Sequence, residues 1–393
     1  MEVTASNLTL DADHPVLRLQ RTALIAGAAG LALTAVGFFL SPDQFFRSYL
    51  LGFMYWFGIA LGSMAILMIH HIAGGAWGAV IRRLLESSMG TIPLLAVLFV
   101  PVAFGIHHLY EWSHADVVAK DAILQSKEAY LNVPFFLVRA VIYFVIWVAV
   151  ATVLRRLSLQ QDTDTDPRIV TRMELMSRGG LVLYGITVTF AAVDWVMSLE
   201  PHWFSTVFGL LVMGGQGLAA FAFCIPLAVL LSRREAVGRV FGPSQFHDLG
   251  NMMLAFTMIW AYLSFSQLLI IWSGNLPEET MWYFTRSEGG WKIVGYALLF
   301  LHFAVPFAVL LQRKVKQTGS KLAIVALWML FMRYVDLYWL VAPSMHPENA
   351  MPHWLDITAV VGIGGIWVWF FVSRLAQSPL LALNDPSLPE VEA

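Results

Sequence analysis

From Val133 to Leu154 the chain reads VPFFLVRAVIYFVIWVAVATVL, with Arg139 as its only charged side chain. A helix needs about 20 apolar residues to cross roughly 30 Å of hydrocarbon, and this stretch supplies them. Runs of this kind recur near residues 22–40, 47–71, 90–110, 133–154, 173–199, 204–231, 249–272, 291–312, 321–342 and 355–376. Lipid offers the backbone no hydrogen bonds, so each run must satisfy its own N–H and C=O groups. Segments this long and continuous also lack the alternating ~10-residue pattern of a membrane barrel. The expected fold is an all-α polytopic membrane protein with ten transmembrane helices.

Composition agrees with this. Of 393 residues, 58% are hydrophobic and 13% charged, and the mean hydropathy is +0.69. Soluble domains carry about 25% charged residues, so no large water-soluble domain fits beside ten spans. The net charge of −2 gives no basic surface for nucleic acid. The one cysteine, Cys224, excludes a disulfide framework, a four-thiolate iron–sulfur cluster and a Cys-x-x-Cys-His haem attachment. A bis-histidine haem needs two ligands facing each other at one depth. His70-His71 and His107-His108 fall at opposite ends of their spans and His302 at a third depth, so no haem or metal is expected on this chain.

The first run follows a polar stretch holding Asp11, Asp13, Arg18 and Arg21 and lacks a small-residue cleavage pattern after it, so it reads as a first span and not as a removable signal. Arg18, Arg21, Arg82, Arg83, Arg155, Arg156, Arg168, Arg172, Arg233, Arg234, Arg239, Arg313, Lys314, Lys316, Lys321 and Arg374 fall in the N-terminal tail, the even-numbered connections and the C-terminal tail. Only Arg47, Lys120, Lys127, Arg286 and Lys292 fall on the other side, which predicts that both termini are cytoplasmic. Arg139, Arg178 and Arg333 remain inside spans. Between spans, Trp77–Ser88 has the spacing of a short helix lying in the inner interface, with Arg82, Arg83 and Glu86 on its wet face. Asp116–Tyr130 predicts an outer helix, and Gln160–Pro167, QQDTDTDP, reads as a disordered linker.

Span five carries the most informative seam. Ser177, Gly180, Tyr184, Thr187, Ala191, Asp194 and Ser198 recur at steps of three and four, which puts one acid and several hydroxyls on a single face. A charge at membrane depth costs at least about 2.5 kcal/mol, so Asp194 must be paired, protonated or wetted. It is either part of a proton-conducting element or an acid that ties helices together. In span nine Arg333 and Asp336 stand i,i+3, within reach of a structural ion pair. Asp194 precedes Pro201 by the same spacing at which Asp336 precedes Pro343, a weak sign of a repeated four-helix unit. His302 in span eight is a relay or a core histidine. Gln216, Gln267 and Gly58-x-x-x-Gly62 read first as helix-packing devices. The outer connections, with Glu111-Trp112-Ser113-His114, Glu200-Pro201-His202-Trp203 and His346-Pro347-Glu348, suit a docking surface or a proton exit.

Several blocks in one order resemble a known family. They are Tyr130-Leu131-Asn132-Val133-Pro134-Phe135-Phe136 with Arg139, Asp194-Trp195 through Ser205-Thr206, His247-Asp248-Leu249, Ser266-Gln267, Asn275-Leu276-Pro277-Glu278-Glu279 and Ser378-Pro379-Leu380-Leu381. Together, over nearly the whole chain, they resemble the second quinone-binding-type membrane component (ActF) of alternative complex III, a bacterial quinol:cytochrome c oxidoreductase. That component belongs to the superfamily of polysulfide-reductase (NrfD-like) membrane proteins. The resemblance implies two four-helix bundles, about 47–154 plus 173–199 and about 204–342. Peripheral helices at 22–40 and 355–376 and cytoplasmic tails at 1–21 and 377–393 complete the chain.

It further implies a bacterial inner-membrane location and an auxiliary role beside the quinol-oxidising component. The partners implied are that component, a paralogous quinol-binding membrane protein, together with small membrane subunits, periplasmic subunits bearing haem c and iron–sulfur clusters, a terminal oxidase as a further candidate, and membrane lipids. Carried onto these residues, it makes Asp194, Tyr184, Thr187, Arg139, Gln267, His302, Arg333 and Asp336 candidates for a proton path. Catalytic relatives carry a Gly-Arg-Pro element beside quinol; none occurs here, and the outer end of span three reads Gly105-Ile106-His107-His108-Leu109-Tyr110-Glu111. Quinol oxidation is therefore expected in another chain. His107, His108, Glu111, Glu200 and His202 stay candidates for a quinol head group or an outer proton exit. A stand-alone secondary transporter and a purely structural scaffold are the competing readings.

Overall fold

The computed structural model describes residues 8, 10, 14–233 and 235–388. Asp11, Asp13, Arg234 and the remaining parts of the two tails lie outside the described residues. Ten helices are long and apolar enough to cross a membrane: α1 Pro15–Leu40, α2 Pro42–Ala73, α3 Arg82–Phe104, α4 Val133–Gln161, α5 Pro167–Leu199, α6 Phe208–Leu231, α7 Pro243–Gly274, α8 Gly289–Leu310, α9 Gly319–Ser344 and α10 Trp354–Leu375. The protein is a multi-pass helical membrane protein. We use "inner" for the end that carries the arginine-rich connections and "outer" for the opposite end.

Local chemistry sets the helix ends. Asn132 caps α4, its side chain accepting the Phe135 N–H at 2.9 Å, and Pro134 follows where no donor is needed. Asp166 does the same for α5 through Arg168 N–H at 2.9 Å. Asn275, with φ 47°, ends α7 in the left-handed conformation that Asn tolerates, and Pro277 opens the short helix Pro277–Ser287.

Helices α2 and α6 are buried along most of their length, whereas α1, α7 and α8 leave most of theirs exposed. α2 packs with α3 and α5, and α4 with α5. α6 packs with α7 and α9, and α8 packs against α7 and α9. α2 and α6 cross and join the two groups, and α1 and α10 pair and lie along α2. Gly62 makes that crossing possible, because a Cβ there would stand 2.0 Å from the Gln216 carbonyl oxygen. Gly58-x-x-x-Gly62 is thus a packing device.

Three connections depart from expectation. Trp77–Ser88 is not one short helix with a wet face: Ala76–Ala79 is a separate turn of helix, Arg82–Met89 forms the first turns of α3, and Arg82, Arg83 and Glu86 are all buried. Helical spacing puts these charges on one face, and that face turns inward because acids from elsewhere in the chain meet it. Asp116–Tyr130 is not one helix but two short ones, Ala115–Val118 and Ala122–Lys127, the second capped by Asp121. Gln160–Pro167 is an ordered turn, in which Asp162 pairs with Arg83 and Gln161 donates to the Asn384 carbonyl at 2.9 Å. The C-terminal segment 377–388 folds back onto this end, with Leu380, Leu381 and Ala382 buried.

Candidate functional site

Asp194 lies at the outer end of α5, completely buried, and it is paired. Arg139 of α4 meets it with two prongs, Nε to Oδ2 and Nη2 to Oδ1, each at 2.9 Å, and the Tyr143 hydroxyl donates to Oδ2 at 2.8 Å. The guanidinium is itself held by the Tyr130 carbonyl at 2.9 Å and lies over the Tyr130 and Phe135 rings at 3.8 and 4.4 Å. A planar five-donor cation suits this fork better than a lysine would. The sequence alone leaves the partner of Asp194 open and does not single out Tyr143. Arg139, Tyr143 and Trp147 recur every fourth residue on one face of α4, a signal that could have found it.

Further along the α5 seam, Thr187 accepts from Trp147 Nε1 at 2.8 Å, and the Tyr184 hydroxyl donates to Gln216 Oε1 of α6 at 2.7 Å. A second buried ion pair belongs to α6–α9. Arg333 and Asp336 of α9 pair with each other, and Trp260 Nε1 donates to Asp336 at 3.2 Å. The guanidinium fills the space beside Gly215, where a Cβ would stand 2.5 Å from it.

His302 meets the same Trp260 edge to face at 4.3 Å, completely buried, with no hydrogen-bond partner at either ring nitrogen among the described residues. It sits in a π-helical stretch, Leu298–Ala304. Pro306 lacks the N–H that the His302 carbonyl would take, and the helix widens there. Gln267 stands apart from this group, at the outer end, between the Ser205 hydroxyl at 3.0 Å and the Tyr283 hydroxyl at 3.4 Å. Arg178, the third arginine within a span, is exposed and pairs with Glu174 one turn away.

The outer candidates share one cleft of about 440 Å³, lined by His107, His108, Glu111, Glu200, His202 and Trp282 among others. His108 meets Asp43 at 2.6 Å, His202 meets Asp121 at 2.6 Å, and His107 meets Ser113 at 3.1 Å. The hydrogen bond from His202, with the Leu124 and Ile123 amides, holds the Asp121 carboxyl below its ordinary value. Glu200 accepts from Arg286 at 2.7 Å, a buried cation that the sequence presents only as an outer-loop charge. Burial pulls the Arg286 guanidinium down and Glu200 opposes it. The Trp282, Trp339 and Leu340 carbonyls take its other N–H groups, and the Trp282 ring lies 3.7 Å away.

A further charged site, unforeseen from sequence, closes the inner end. Arg82 meets Glu86 and Asp385 at 2.8 Å each, Arg83 meets Glu86 at 2.7 Å and also Asp162, and Ser158 donates to Glu86 at 2.5 Å. His70 approaches Asp385 at 3.5 Å. No protein-family model matches this sequence, and no curated protein matches it.

Proposed function

We propose that this chain is an auxiliary membrane component of an alternative complex III, a respiratory quinol:cytochrome c oxidoreductase of the bacterial inner membrane, and that it contributes a proton path while neighbouring chains carry the redox chemistry. The observation that carries this reading is the meeting of two of the resembling blocks. Tyr130–Phe136 with Arg139 and the block beginning at Asp194 lie far apart in sequence, yet they close on one another at the Arg139–Asp194 pair, sealed by the Tyr130 ring. A third block joins them, since Ser205 donates to Gln267. Blocks that carry the resemblance thus meet one another in space, in two contacts, which supports the reading.

On this reading both termini face the cytoplasm, and the outer cleft faces the periplasmic subunits that hold haem c and iron–sulfur clusters. The membrane partners are the paralogous quinol-oxidising protein and the small membrane subunits. Redox energy released next door biases the protonation of Asp194, which needs two states that hold its proton differently. Asp194→Asn, in an assembled complex that still transfers electrons, is expected to lower the protons delivered per electron. Unchanged stoichiometry removes Asp194 from the path. Full pairing of Asp194 by three donors favours a second reading, a structural scaffold, and the same measurement separates the two. Co-purification with c-haem and iron–sulfur polypeptides tests the placement; a colourless, solitary chain overturns it.

A further inference from the structure

The α5 seam ends at its inner side on Ser177, which is completely buried. Its hydroxyl lies 3.0 Å from Nδ1 of His71, near the end of α2, and the other ring nitrogen, Nε2, is buried with no partner among the described residues. His71 lines an inner cleft of about 270 Å³ together with His70, Arg82, Gln161, Glu174 and Asp385. The other charged groups of that cleft are largely committed elsewhere, although His70 Nδ1 and Gln161 Oε1 are also buried without a partner among the described residues. His70 and Arg82 hold Asp385, Arg82 also holds Glu86, Glu174 pairs with Arg178, and Gln161 donates to Asn384. Among the lining residues described, His71 is the one with a side-chain hydrogen bond to the α5 seam, through Ser177.

Beyond Ser177 the seam is blocked. The Met68 sulfur occupies the space beside Gly180, 2.6 Å from where a Cβ would stand, with a Val150 methyl at 3.4 Å. Past this plug come Tyr184 with Gln216, Thr187 with Trp147, and then Asp194. An unbranched thioether has three rotatable bonds, so Met68 is the most readily displaced part of the barrier.

We propose that His71 is the inner proton-uptake residue of this chain, with Ser177 as its acceptor and Met68 as the gate between them and the seam. The inference rests on the reading that Asp194 lies on a proton path. A proton arrives at Nε2 while the Nδ1 proton passes to the Ser177 hydroxyl, whose own proton goes to water admitted toward the Tyr184 hydroxyl when Met68 moves aside; the imidazole stays neutral and returns to its Nδ1–H tautomer before the next transfer. The titratable and charged groups around the ring are Arg82, His70, Glu86 and Asp385, with Glu174 from α5.

Two measurements on the whole complex test it. In vesicles, His71→Gln should remove the same fraction of proton output per electron as Asp194→Asn while electron transfer continues. If Asp194→Asn lowers the output and His71→Gln does not, the uptake role of His71 falls and the Asp194 path stands. If neither lowers it, both fall. Independently of turnover, His71→Cys reports access, because the one native cysteine, Cys224, is completely buried. An impermeant maleimide should label His71→Cys from one face of the membrane only. Labelling from neither face, or equally from both, overturns the proposal.

Discussion

Removing Arg139 should unmask the cost of its partner. The Asp194 carboxylate accepts from Arg139 Nε and Nη2 at 2.9 Å and from the Tyr143 hydroxyl at 2.8 Å. Arg139→Met takes away two of those three donors and leaves a completely buried carboxylate on one hydroxyl. Breaking a buried pair from one side costs about 3–5 kcal/mol, because the abandoned charge keeps its desolvation penalty. At about 1.4 kcal/mol per factor of ten, the folded-to-unfolded ratio drops by roughly two to four orders of magnitude. The lost stacking on Tyr130 adds about 0.5–2 kcal/mol. Asp194→Asn should cost less, since Arg139 keeps the Tyr130 carbonyl and both rings. The double variant Arg139→Met, Asp194→Leu replaces the pair with apolar volume and should recover to within ~1–2 kcal/mol of the parent. Denaturant titration in mild detergent, followed by tryptophan fluorescence, reads all four proteins. A double variant as unstable as Arg139→Met alone would show that lost packing, not an abandoned charge, sets the cost.

Two further outcomes follow from the same treatment of buried polar groups. Burial raises the Asp385 carboxyl, but the His70 hydrogen bond and the Arg82 charge outweigh it and hold the group well below the usual carboxylate range. A depressed carboxyl contributes stability that is complete above its unfolded value and is lost only as pH falls through the depressed one. The 377–388 segment should therefore stay docked at about pH 5, above the ordinary Asp value, whereas Asp385→Asn should release it at neutral pH; limited proteolysis of the tail distinguishes these states. His302→Phe removes two buried nitrogens that have no partner among the described residues and keeps a ring edge on Trp260, so it should gain about 1–3 kcal/mol in the detergent titration. A loss of stability would mean that the nitrogens are held.

The ten spans were legible because hydrophobic length is written locally: each run is as long as the hydrocarbon is thick. The span-five seam was legible for a similar reason, since 3.6-residue periodicity shows which side chains share a face. Periodicity does not say what that face meets. Arg82, Arg83 and Glu86 share a face, as their spacing required, but sequence alone turned it toward water. The acid that draws Arg82 inward is Asp385, 303 residues away in a tail that carries no local signal of docking. Arg286 was hidden for the same reason, since its acid, Glu200, and its carbonyl acceptors Trp339 and Leu340 come from other elements. Asp162 lay within a stretch whose composition reads as solvated, and its ion pair to Arg83 with hydrogen bonds from Leu383 and between Gln161 and Asn384 order it.

The common spacing of Asp194 to Pro201 and Asp336 to Pro343 conceals two different electrostatic arrangements. Asp194 takes its cation from another helix, so its charge ties α4 to α5, and neutralising it must loosen a contact between helices. Asp336 takes its cation from one turn away on α9, so its charge is balanced within a single helix. What connects that second pair to its surroundings is Trp260, which gives its one N–H to Asp336 and offers its ring to His302. The first site can transmit a change of charge to the α4–α5 contact, because breaking it removes one tie between these helices while the Trp147–Thr187 hydrogen bond stays. The second can change charge with α9 in place, because its counter-ion moves with it. A path using both would therefore couple to conformation at Asp194 and leave the Asp336 pair as a fixed electrostatic neighbour of His302.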